Sequence, residues 1–199
     1  MTERRSATDA GIEGGPLSID RLDVIAPGAF AAAVAPLFEG ARMFLGRLAM
    51  ARPFGSVEEL FASAREIAQA MPLDEKLELI DAHPRLGAPL ADVSALSFVE
   101  QGYDRSGTER APEAAGAAEA ERARIAAELD RLNAAYEARF GFRYCVFVAG
   151  RSRAELLPGM TAALEADRDA EITRALDAVI DIARDRYATL TAAATEDPA

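Results

Sequence analysis

The chain has 199 residues, half of them hydrophobic and 28% charged, enough for one domain with a sizeable core. Its formal net charge of −11 argues against nucleic acid and anionic membranes as partners, since both need basic patches; an anionic ligand would need a locally placed arginine. A single histidine and a single cysteine exclude an internal disulfide and the common multi-histidine or Cys/His metal sites, leaving only carboxylate-rich alternatives, and the expectation is no metal.

In chain order, residues 1–16 are small, polar and glycine-rich and read as a disordered tail, with no apolar core of a secretory signal behind the charges. No apolar run reaches the ~20 residues that span a bilayer. With one cysteine, Cys145, the expectation is a soluble cytoplasmic protein. Residues 17–192 read as a single helical domain and 193–199 as a flexible tail.

Within that domain the period is helical almost throughout. "PGAFAAAVAPLFEGARMFLGRLAMA" reads as two short helices broken near Pro36 or Gly40. "SVEELFASAREIAQAM" opens with Ser56 and Glu59 in capping-box spacing, and Leu60, Ala64, Ile67 and Ala68 form its apolar stripe. "LDEKLELIDAH" is a further short helix, with Asp74 as the expected N-cap and Pro84 ending it around His83. Residues 85 to about 116 are the least regular, with a short helix expected inside "ALSFVEQGYD". A strong helix follows over about 117–140, ended by Gly141. "FRYCVFVAG" then reads as an extended segment near 142–149, with no obvious sheet to join. Its backbone N–H and C=O groups must find other partners, a ligand among them. Two helices, about 152–166 and 169–192, close the chain. The fold class expected is all-α: a compact multi-helix bundle with one extended segment.

Three places carry candidate chemistry. "DAHPRLG" holds His83, the one side chain whose unperturbed pKa suits acid–base work near neutrality. It fits a helix-end imidazole meeting the last carbonyls, and also an imidazole aimed into a pocket by a turn that Pro84 and Gly87 set. "SFVEQ" fits a capping box, and also a polar helix face offering Ser97, Glu100 and Gln101 at i, i+3 and i+4. Arg186 falls inside the apolar stripe of Ile172, Leu176, Val179, Ala183 and Leu190. It either snorkels to water or grips a carboxylate or flat amide-like ligand; neighbouring Arg184 points off that face. Cys145, among apolar neighbours, reads as a buried small hydrophobe.

Taken together, these motifs resemble the 2-oxo-4-hydroxy-4-carboxy-5-ureidoimidazoline (OHCU) decarboxylase family, over roughly Leu17 to Leu190. The resemblance rests on "RPFGSVEELFASA", "DAHPRLG", "SFVEQ", "LNAAYEARFGF" and "AVIDIARDRYATL", five motifs in order. The chain departs from the family after Gln101, where Gly102-Tyr103-Asp104-Arg105 replaces small residues, and at Tyr187, where the family commonly carries leucine. The resemblance implies an all-helical homodimer and a carboxy-lyase acting without a cofactor on an anionic ureidoimidazoline, yielding (S)-allantoin in urate degradation. It implies His83 and Glu100 as catalytic residues, and Arg186, Gln101, Ser97 and Pro84 as substrate contacts. Backbone groups of Phe142, Tyr144 and Val146 would line the pocket. The alternatives are decarboxylation of a related ureido acid, and a helical binding protein that kept the fold without the chemistry.

Overall fold

The computed structural model describes residues 15, 17–88 and 112–196. The expected short helix in "ALSFVEQGYD", with Ser97, Glu100 and Gln101, lies outside the described residues, as do residues 1–14 and 197–199. Among the described residues the fold is all-α, with no strand. It contains α1 (Ile19–Val24), α2 (Pro27–Val34), a 3-10 turn (Ala35–Phe38), α3 (Arg42–Met50), α4 (Val57–Ala70), α5 (Leu73–Asp81), α6 (Pro112–Phe140), α7 (Arg153–Ala163) and α8 (Arg168–Glu196).

The break between α2 and α3 uses both expected signals. Pro36 sits in the 3-10 turn, and the chain then reverses through Glu39 (φ 49°) and Gly40 (φ 73°), both left-handed. In α4 the Ser56 hydroxyl accepts the Glu59 N–H at 3.1 Å, and Leu60, Ala64 and Ala68 are buried while Ile67 is half-buried. Asp74 is not the cap of α5. Pro72 occupies that position, because its fixed φ (−55°) and the extended Met71 before it set the helix start two residues earlier. Asp74 instead stands in the first turn, where its carboxylate meets the positive end of the helix dipole.

The last helix organises the core. The buried residues Ile172, Leu176, Val179 and Ala183 of α8 face the contacts with α4, α5 and the 3-10 turn. Helix α6 packs on α7 and is tied to α8 by the Tyr136 hydroxyl, which donates to Glu171 Oε2 at 2.7 Å. That carboxylate is itself buried and also accepts from Arg174 Nε at 2.9 Å. Burial and the bond to Glu171 push the Tyr136 pKa up, so the phenol stays a donor. The helix ends run past their expected limits: α6 begins at Pro112, and α8 continues beyond Ala192 to Glu196 through alanines that favour helix. None of these helices is long and apolar enough to cross a membrane.

Candidate active site

Helix α5 ends at Asp81, and the chain turns immediately through His83, Pro84 and Gly87. The turn is fastened from outside. Arg143 Nη1 donates to the carbonyls of Asp81 (2.8 Å) and His83 (3.1 Å), while its backbone N–H donates to Asp81 Oδ1 (2.8 Å). An arginine thus supplies the donors that the last helical carbonyls lack. Gly87 has φ +82°, and a Cβ there would lie 3.2 Å from Leu129 Cδ1. Gly87→Ala should therefore destabilise the chain by about 1–3 kcal/mol, read as a lowered urea midpoint; an unchanged midpoint would show that the turn tolerates a side chain. Leu86 packs inward, 5% exposed, and Asn133 Nδ2 donates to its carbonyl at 3.0 Å.

His83 is 4% exposed. Its Nδ1 lies 3.2 Å from the Leu79 carbonyl, which can only accept, so Nδ1 carries the proton. Nε2 then presents a lone pair, and it has no hydrogen-bond partner among the described residues. Burial, foremost, and the nearby Arg186 charge pull the imidazole pKa down to about 4, against an upward pull from Glu39. The ring is therefore a neutral base, not an imidazolium.

This burial has a consequence for stability. The unfolded chain takes up the histidine proton near pH 6.5, the folded chain only near 4, so the unfolded state binds more protons between those values. Stability is complete above about pH 6.5 and falls as the pH drops towards 4, by roughly 2–3 kcal/mol. Urea unfolding at pH 7 and pH 4.5 should show wild type losing more stability than His83→Gln. Equal losses would mean that the imidazole is not held neutral by the fold.

Arg186 enters from α8 and is 2% exposed, so it does not snorkel to water. Its Nη2 donates to Glu39 Oε1 at 2.9 Å, and its Nη1 donates to the carbonyls of Pro36 (3.0 Å) and Leu37 (3.4 Å). A buried cation needs such partners, and the left-handed end of the 3-10 turn provides them. Arg184 is exposed.

His83 and Arg186 meet on one cavity of about 150 Å³. Pro84 and Leu86 next to the histidine, the segment from Tyr144 to Gly150, and Ile182 and Asp185 with Arg186 line it. Of the expected contacts, Pro84, Tyr144 and Val146 are on this lining and Phe142 is not. Phe142 is buried in an aromatic cluster with Tyr136 and Phe140, its ring edge-on to Tyr136 at 5.6 Å.

The segment after Phe140 joins no sheet, and arginine side chains partner much of its backbone. Arg174 Nη1 donates to the Cys145 carbonyl (2.9 Å), and its guanidinium lies 4.7 Å from the Tyr144 ring centroid. Arg151 donates to the carbonyls of Phe147 (2.5 Å) and Val148 (3.0 Å). Cys145 is buried. Among the described residues no group of three or more His, Cys, Asp or Glu is arranged to hold a metal ion. Sequence reasoning missed Glu39, Arg143, Arg174 and Asp185. The first three bond across long sequence separations that no local pattern announces. Asp185 adjoins the arginine already singled out.

Comparison with known proteins agrees with this architecture. A family profile described as OHCU decarboxylase matches residues 24–188. The chain is 31% identical over 154 residues to the uric acid degradation bifunctional protein PucL of Bacillus subtilis, covering 77% of this chain but 28% of that protein. It is 27% identical over 183 residues to a 2-oxo-4-hydroxy-4-carboxy-5-ureidoimidazoline decarboxylase of Haloferax volcanii, covering 86% of this chain and 95% of that one. Its fold matches a crystal structure of OHCU decarboxylase in the presence of (S)-allantoin, with TM-score 0.59 and 23% identity over 79% of this chain and 96% of the other. With a match that spans most of its length and a cavity framed by three separate parts of the fold, this chain belongs to the OHCU decarboxylase family.

Proposed function

We propose that this chain decarboxylates 2-oxo-4-hydroxy-4-carboxy-5-ureidoimidazoline to (S)-allantoin in urate degradation, without a cofactor. The observation that carries the proposal is the pairing, on one small cavity, of a neutral buried imidazole with a lone pair on Nε2 and a buried arginine. The substrate's identity comes from the relatives, in particular the Haloferax protein that matches over nearly its whole length.

The chemistry suits those groups. The reacting carbon carries a hydroxyl and a carboxylate, and the adjacent ring carbon is imine-like. When the C–CO₂ bond breaks, its electron pair becomes a double bond to the adjacent ring carbon and the imine pair moves onto the ring nitrogen, which takes a proton from solvent, so the ring serves as the electron sink and an enol is left. His83 Nε2 accepts the hydroxyl proton as general base, the hydroxyl carbon becomes a carbonyl, and the same proton is available for the ring carbon that bears the ureido group. Delivery from one side fixes the hand of the product. Arg186 anchors the substrate by charge-assisted hydrogen bonds, offsetting the protein's negative field. Glu100 and Gln101, with Ser97 beside them, would bind the ring and ureido N–H and C=O groups and fix the reactive conformer. Pro84, Tyr144 and Val146 would bound the substrate, whereas Phe142 would act only by anchoring the wall segment.

The family resemblance supports a homodimer built from single helical domains spanning residues 17–192, and the lone buried cysteine is compatible with a cytoplasmic setting. The direct test of the activity is CO₂ release from freshly generated OHCU. A rate well above the uncatalysed one supports the proposal, and a rate equal to it, with allantoin still bound, would leave a binding protein.

A further inference from the structure

Glu39 stands in an unusual place for a glutamate. It caps the 3-10 turn with φ 49° and ψ 30°, a left-handed conformation that glycine adopts freely and a side chain with a Cβ resists. Its carboxylate is largely buried, 13% exposed, and accepts from Arg186 Nη2 147 positions away in the chain. With the Pro36 and Leu37 carbonyls on Nη1, the turn forms a cradle of three acceptors around one guanidinium. Two costly features, a left-handed non-glycine residue and a buried ion pair, converge on a cation that lines the cavity. A packed apolar pair would serve the fold at least as well. What the pair adds is orientation: the planar guanidinium can present a substrate-facing edge only when its plane is fixed.

We infer that Glu39 is a positioning residue, acting through Arg186 to hold the guanidinium plane against the cavity for substrate binding. The inference rests on the proposal that Arg186 anchors the substrate. It makes reach, more than charge, the property that matters.

Three variants separate these properties, each followed by melting temperature, by kcat and KM, and by calorimetric affinity for (S)-allantoin. Glu39→Gln keeps the reach and an acceptor oxygen but removes the charge. Glu39→Asp keeps the charge but withdraws it by one methylene. Glu39→Gly relieves the backbone while removing the acceptor, so it keeps the turn folded if the aspartate variant does not. The expected result is a rise in KM and a loss of allantoin affinity of ~10-fold or more for Asp and Gly, with kcat changed less. Gln should remain within about threefold of wild type. In an Arg186→Met background, Glu39→Gly should cost no further affinity. Wild-type affinity in Glu39→Gly, a loss in Gln as large as in Asp, or a full additional loss in the Arg186→Met background would each overturn the inference. Affinity lost in Arg186→Met but kept in Glu39→Gly removes the role of Glu39 alone. Wild-type affinity in Arg186→Met removes the anchoring reading on which it rests.

Discussion

Replacing His83 by alanine should lower the rate of stereoselective decarboxylation by ~10²–10⁴-fold, the usual contribution of a well-placed acid–base group. The remaining product should form slowly and be racemic, since uncatalysed protonation in water has no preferred face. The size of the effect follows from the state of the ring. With Nδ1 committed to the Leu79 carbonyl, Nε2 is the atom left to accept a proton. A pKa near 4 keeps that lone pair available throughout the neutral range. Because the side chain is buried, His83→Ala also creates a small void, and His83→Asn is the better-matched companion. Both should fold, as judged by far-ultraviolet circular dichroism, and both should lose activity. Retained activity in either would move the proton to another group.

Arg186→Met should weaken (S)-allantoin binding ~10–100-fold, the equivalent of about 1.5–3 kcal/mol for a hydrogen bond to a charged group. The same change removes the guanidinium that the Glu39 carboxylate and two carbonyls of the 3-10 turn bond, so melting should also occur at lower temperature. The two effects are separable. Calorimetric titration well below the melting temperature reports the ligand contact, and the melting curve reports the cradle. Unchanged affinity beside a lowered melting temperature would make Arg186 a purely structural cation.

Arg186 itself was readable from sequence because a lone charge interrupts a stripe of Ile172, Leu176, Val179 and Ala183, and a stripe at helical spacing leaves few destinations for it. What the pattern could not supply was the partner. "LFEG" reads as a surface acid before a turn glycine, and only the tertiary fold brings that turn to α8. His83 was conspicuous as the chain's single histidine, and the Pro84 and Gly87 signals marked its turn. The residue that fastens the turn, Arg143, lies 60 positions away from His83 in a segment recognisable only as extended. Phe142 shows the limit of reading alternation there. Without a sheet, no neighbouring strand defines two faces, and the aromatic cluster around Tyr136 draws the ring away from the cavity. Helix starts fared worst where proline competes with a polar cap, as at Pro72 and Asp74.

The measurement that bears most directly on the catalytic role proposed for this chain is the circular dichroism sign of allantoin formed from freshly generated OHCU. Wild type should give a rapid signal of the (S) hand, and His83→Ala a slow reaction with no net signal. An optically silent product from wild type, or a full (S) signal from the alanine variant, would contradict one-sided proton delivery by His83.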